Sequence, residues 1–198
     1  MMISHIIIEG DRDASQSGNH DLAVDTGDRT VEILDAGCGT GLLGIARREK
    51  GYRHIEGFDL SDTMVAKARQ TGVYRSLIGG CNMLQRIPAY SYNEYYVTLC
   101  CRVFTTGHVP QIALRQLIRI TKPGGVVLLS TRRSYYETTE FKQTYERFAQ
   151  VGVIELIDCV MDGPYLAEEG AHYWAFKVLV RFASPWGIKQ TIRSTQNE

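Results

Sequence analysis

The chain has no apolar stretch long enough to cross a bilayer. Its opening "MMISHIII" is apolar, but it lacks a basic flank and runs at once into "EGDRD", which is too short for a span or a signal peptide. Neither charge is in excess: Lys+Arg and Asp+Glu are both 22 in 198 residues. An even balance leaves no overall field to attract a polyanion, so composition does not call for a nucleic-acid partner. Cysteine is sparse and unpatterned. Cys38, Cys81, Cys100, Cys101 and Cys159 form no C-x-x-C and no Cys/His spacing, which argues against a metal site and for reduced, buried thiols. These absences point to a soluble cytoplasmic protein with no membrane partner.

Apolar residues make up 44% of the chain and charged residues 22%, the mix of an ordinary globular domain. Residues 9–30, "EGDRDASQSGNHDLAVDTGDRT", are rich in Gly, Asp, Ser and Asn. Residues 1–30 therefore read as a mobile polar leader, 31–183 as the domain and 184–198 as a frayed tail. From residue 31 short apolar runs alternate with helical spacing. "VEILD" reads as a strand and "LLGIARREKG" as a helix with basic residues in its last turn and a glycine stop. "HIEGFDL" is a second strand, and Ser61 or Asp62 caps the helix "TMVAKARQ". "SLIGG", "EYYVTLCC" and "VVLLSTR" continue the strands, with the helix "QIALRQLIRI" opened by Pro110 and the turn "KPGG" before the last of them. "ETTEFKQTYERFAQVG" reads as a helix, followed by the strands "VIELIDCV" and "YWAFKVLVRF". Strands alternating with helices predict an α/β fold, a doubly wound and mostly parallel sheet. The last two strands lack a helix between them, which predicts antiparallel pairing there.

The stretch "VEILDAGCGTGLLG" admits two nucleotides. Read from Gly39 it holds a G-x-G-x-x-G, the loop of a dinucleotide site. Read from Asp35 it is D-x-G-x-G-x-G, the loop of an S-adenosylmethionine site. Asp59 lies 20 positions past Gly39, the spacing of a carboxylate that accepts ribose hydroxyls, and it serves either ligand. Asp35 discriminates. An open negative charge at the mouth of the loop opposes a diphosphate and favours a sulfonium.

With those residues in view, "LDAGCGTG", "GFDLSDTMVAKAR" and "LIRITKPGGVVLLSTR" resemble the motifs of class I S-adenosylmethionine-dependent methyltransferases. "GVYRSLIGG", "RVFTTGHVP" and "TKPGGVVLLSTR" carry a closer likeness to the methyltransferase-like group named for the Williams–Beuren syndrome region. The resemblance implies a Rossmann-like, seven-stranded methyltransferase fold with an antiparallel last strand, and methyl transfer to a small-molecule or protein acceptor. It places Asp35, Gly37 and Gly39 along the methionine portion, Asp59 at the ribose and Met64 on the adenine, with Cys38 and Leu60 also among the cofactor-binding residues. Many relatives carry an acid after the third strand; here the place holds "GGCNMLQ", which makes Asn82 the polar candidate for the adenine amino group. Among acceptor-side residues His108, in "TTGHVP", is the candidate base or orienting group. "RRSYY" leaves the fifth strand at the same edge, whereas His172, Tyr173 and Trp174 read as a strand end with aromatic packing. The alternative reading is a non-catalytic binding module of the same fold with a weakened cofactor site.

Overall fold

A computed structural model describes residues 5–9, 21–25, 27–166, 169–182 and 189–190, with side chains over 27–163 and 169–181. Seven strands form one sheet: β1 Ile33–Ala36, β2 Ile55–Phe58, β3 Ser76–Ile78, β4 Tyr95–Phe104, β5 Thr121–Arg132, β6 Ile154–Leu166 and β7 Glu169–Val178. Their order is β3-β2-β1-β4-β5-β7-β6. The first five strands run parallel, and β7 runs antiparallel to both β5 and β6. This is the doubly wound sheet expected from the strand-helix alternation. The helices are α1 Leu42–Glu49, α2 Asp62–Gln70, α3 Leu114–Ile120, α4 Arg133–Thr138 and α5 Phe141–Gln150.

The period of two along each strand splits the core between the sheet's faces. Ile33, Ile55, Val97, Leu99, Val126 and Leu128 pack on one side with Tyr52. Leu34, Phe58, Cys100, Leu129, Trp174 and Phe176 pack on the other with residues of α3 and α5. Ser61 caps α2, its hydroxyl accepting the Met64 N–H at 3.3 Å. The "KPGG" segment bulges out between two pairings of β4 with β5, Tyr95 with Thr121 and Val97 with Val126. Gly124 there has φ +79°, a conformation costly for a side chain.

Four segments differ from, or add to, the sequence reading. The helix expected over "ETTEFKQTYERFAQVG" begins only at Phe141, and "RSYYET" forms the separate α4. The hydroxyls of Thr138 and Thr139 turn back onto the carbonyls of Ser134 and Tyr135, and Thr139 is extended, so α4 stops there. Backbone strands His5–Glu9 and Asp21–Asp25 pair antiparallel with each other inside the segment read as a leader. Arg181–Phe182 pairs likewise with Lys189–Gln190, which lies in the segment read as tail. Residues 27–30 of the leader are described as well, Arg29 donating to the Tyr52 hydroxyl at 2.7 Å, and the rest of both segments lies outside the described residues. Finally, β6 is irregular: its register on β7 shifts between Leu156 and Asp158, again between Val160 and Gly163, and again between Gly163 and Leu166.

Candidate functional site

The carboxyl ends of β1 and β2 meet at the glycine loop, residues 36–41. The N–H groups of Gly37 and Cys38 both donate to the Phe58 carbonyl, at 2.8 and 2.9 Å, and Gly41 N–H closes the turn on the Cys38 carbonyl at 2.9 Å. Gly37 has φ +76°, and a Cβ there would strike the Val103 side chain of β4. Gly39, at φ +54°, differs: a Cβ built on it finds nothing within 4 Å. The loop is thus packed on Val103 at Gly37 and open at Gly39.

Asp59 follows β2 directly and is half-buried. Its Oδ2 accepts the Gly39 N–H and its Oδ1 the Ser61 N–H, both at 2.9 Å. A carboxylate offers about four acceptor positions, so these two bonds orient the group and leave capacity for further donors. Leu60 next to it in sequence and Met64 in the first turn of α2 are 66% and 39% exposed, large apolar side chains left in solvent. The loop after β3 is tied to Asp59 by the Cys81 N–H, which donates to the Asp59 carbonyl at 3.0 Å. Asn82, the candidate for the adenine amino group, uses its Oδ1 to accept the Leu84 N–H at 2.9 Å. Its oxygen is already engaged in an Asx turn.

Asp35 departs from its expected place. The sequence reading has it as an open negative charge; in the fold it is 1% exposed and its Oδ2 accepts the Tyr74 hydroxyl at 2.6 Å. Burial pushes its carboxyl up to about 7, with the Asp59 charge adding to the rise and the Tyr74 hydrogen bond opposing it. The reason is the strand period: Asp35 shares its face with Ile33, under the covering layer, while the loop turns away above it. Cys38 beside it is buried, and burial with the two nearby carboxyls lifts its thiol to about 12, so it is no nucleophile at neutral pH.

Tyr74 is the residue that sequence reasoning missed. It lies between α2 and β3, in the quoted "GVYRS", 39 positions from its partner. A Cβ on Gly44 would overlap its ring, and one on Gly41 or Gly57 would come to 3.1 Å from the ring edge. Two glycines of the α1 turn and one of β2 are shaped around this aromatic. The only local signal was a tyrosine beside Val73 in a short link.

The acceptor-side candidates separate. His108 is exposed in the turn after β4, its N–H on the Thr105 carbonyl at 3.1 Å. That turn is held to α4 by the Tyr135 hydroxyl, which donates to the Val109 carbonyl at 2.8 Å. The arginines of "RRSYY" are engaged with acids at the β6–β7 end, Arg132 with Glu169 at 3.7 Å and Arg133 with Asp162 at 3.2 Å. His172 is buried, and its Nδ1 accepts the Asp162 N–H at 2.8 Å. That acceptor role places the ring hydrogen on Nε2 and, with burial lowering its pKa, keeps it neutral. Its ring meets Tyr136 edge-on at 4.9 Å. Trp174 Nε1 donates to Thr131 at 3.0 Å. His172 and Trp174 sit as packing inside β7 and not at its end as read from sequence, because the strand already begins at Glu169.

All five cysteines are free thiols. Among the described residues no group of His, Cys, Asp and Glu could hold a metal ion, and no helix is long and apolar enough to cross a membrane.

Sequence and structural comparisons bear on the family and the fold. The chain is 34% identical to human Methyltransferase-like protein 27 over 128 residues, covering 62% of this chain and 51% of that protein. It is 33% identical over 129 residues to the malonyl-acyl-carrier-protein O-methyltransferase of Serratia marcescens, covering 58% of this chain and 49% of that one. The chain therefore spans about half the length of the curated relatives it matches. In fold it is similar to the magnesium protoporphyrin IX methyltransferase of Synechocystis PCC 6803, solved with bound SAM, at a TM-score of 0.59 and 18% identity, with 77% of this chain and 72% of that chain covered. The methyltransferase-domain family matches residues 11–177, from ahead of β1 to within a residue of the end of β7. The glycine loop, Asp59 and all but the last residue of the antiparallel β7 fall inside that match, and the chain belongs to the methyltransferase-domain family.

Proposed function

We propose that this chain binds S-adenosylmethionine at the ends of β1 and β2 and transfers its methyl group to a small-molecule or protein acceptor. The observation that carries the reading is Asp59: a carboxylate oriented by two backbone N–H groups, with acceptor capacity to spare, beside the open space at Gly39. A ribose diol needs two such acceptor positions. Leu60 and Met64 supply an apolar wall for the adenine, and the bare backbone at Gly39 lets the methionine portion approach closely.

When bound, S-adenosylmethionine supplies an electrophilic methyl on a neutral thioether leaving group. The task of this chain's residues is then alignment and exclusion of water. His108, in the turn after β4, is the group proposed to orient the acceptor or take its proton. The test is to denature the purified protein and identify by mass spectrometry the nucleoside it releases. S-adenosylmethionine or S-adenosylhomocysteine is expected, and release of a nicotinamide nucleotide would overturn the reading.

Asn82 favours a second reading, the non-catalytic binding module: it is an uncharged acceptor, and one of the two lone pairs of its oxygen is spent on the Leu84 N–H. That reading predicts weak nucleoside binding by calorimetry and no transfer of labelled methyl to any acceptor.

A further inference from the structure

The cofactor reading gives Asp59 a task, but it leaves the Tyr74–Asp35 pair unexplained. Burying a carboxyl at the end of a strand is costly, and an apolar residue would fill that place without penalty. The pair sits where two parts of the loop's foundation meet. Asp35 is the residue of β1 next before Ala36, at the entry to the loop. Tyr74 presses its ring against Gly41 and Gly44, where the loop leaves into α1. One side chain therefore touches both ends of the glycine loop, by a hydrogen bond at its entry and by packing at its exit.

Resting on the cofactor reading above, we propose that Tyr74 is a positioning residue for the S-adenosylmethionine loop: its hydroxyl holds Asp35 and its ring sets the Gly41–Gly44 turn, so that the loop is shaped before the ligand arrives. Pre-shaping spares the ordering cost that a loose loop imposes on binding. Tyr74 also couples the loop to charge. Asp35 is opposed by Asp59 at the end of β2 and faces the neutral thiols of Cys38 in the loop and of Cys100 and Cys101 in β4, with Arg47 of α1 acting on Cys101. With its carboxyl poised near 7, a cationic ligand at the loop draws it into the charged form, and Tyr74 donates to the oxygen that then carries the charge.

The experiment measures the dissociation constant of S-adenosylmethionine by calorimetry at pH 6 and pH 8, for the wild type, Tyr74→Phe and Asp35→Asn. Wild type is expected to bind more tightly at pH 8. Tyr74→Phe keeps the ring and loses the hydrogen bond; it is expected to bind about tenfold more weakly at pH 8, the worth of a hydrogen bond to a charged group. Its rise in affinity should move to higher pH, because the bond that held the Asp35 carboxyl down is gone. Asp35→Asn should bind with little dependence on pH. Tyr74→Phe with wild-type affinity and an unmoved pH profile, even at a lowered melting temperature, would make Tyr74 packing only and overturn the proposal. Asp35→Asn with the wild-type pH dependence would overturn it as well, whether or not the tyrosine variant folds. A wild type that binds no S-adenosylmethionine removes the cofactor reading, and the inference with it. A wild type that binds, beside an unchanged Tyr74→Phe, removes the inference alone.

Discussion

Asp59 Oδ2 accepts the Gly39 N–H at 2.9 Å, so a single carboxylate bridges the ends of two neighbouring strands. The same group takes the Ser61 N–H ahead of α2 and lies on a backbone held to β3 by its own N–H, which donates to the Ile78 carbonyl at 3.1 Å. The group proposed to hold the ribose also joins three strand ends.

Replacing Asp59 by Ala removes the ribose acceptor and releases the Gly39 and Ser61 N–H groups together. Saturating S-adenosylhomocysteine at 100 times its dissociation constant stabilises a protein by about 2.7 kcal/mol. Wild type is expected to show the corresponding rise in melting temperature, and Asp59→Ala to show almost none. Thermal unfolding with and without the nucleoside checks this, and an undiminished rise in the variant would remove Asp59 from the site.

The Asp35 carboxyl titrates near 7 in the fold against 3.8 ordinarily, so between those values the native state holds a proton that the unfolded chain has released. The sign follows: this group's contribution to stability is fully present below about pH 4 and is lost as pH rises towards 7. Unliganded wild type should therefore lose stability over that interval relative to Asp35→Asn, which has nothing to titrate there. Melting temperatures of the two proteins from pH 4.5 to 8 make the comparison. Parallel profiles would mean that Asp35 does not carry the effect.

Trp174 lies 2% exposed among Phe141, Tyr145 and Phe176, with ring centroids 5.4, 5.3 and 6.3 Å away, and it is tied to β5 through Thr131. Trp174→Ala is expected to cost about 3–5 kcal/mol, the usual range for emptying such a site. Trp174→Phe should cost less, because it keeps an aromatic and loses only the indole N–H bond. Urea denaturation midpoints measure both. Near-equal midpoints for wild type and Trp174→Ala would show that the aromatic cluster is not the core of this face.

Much of this architecture could be read from residues close together in sequence. The strand ends at Asp35 and Asp59, the glycines between β1 and α1, the Ser61 cap and the turn at "KPGG" each have a local cause, a φ that favours glycine or a cap that favours a short polar side chain. The antiparallel pairing of β7 followed from the missing helix before it. What escaped reading depended on contacts across the fold. Whether the carboxyl of Asp35 met solvent or Tyr74 was decided by a partner 39 residues away, and sequence spacing carries no sign of it. The break between α4 and α5 was hidden for another reason. Thr138 and Thr139 fit a helix by pattern, and only their hydroxyls turning back onto the preceding turn mark its end.

The two flanks of the sheet bear on how the molecule behaves in company. On one side β3 spans three residues, too few to template a neighbour. On the other, β6 runs for 13 residues but changes step repeatedly along its length, with Asp162 at φ +53° and Glu155 exposed on it. Neither flank offers a straight row of unspent amides to a second copy. Among the described residues this seven-stranded sheet gives crowded molecules no easy edge for stacking into fibrils, through the same kinks that bring Asp162 within reach of His172 and Arg133.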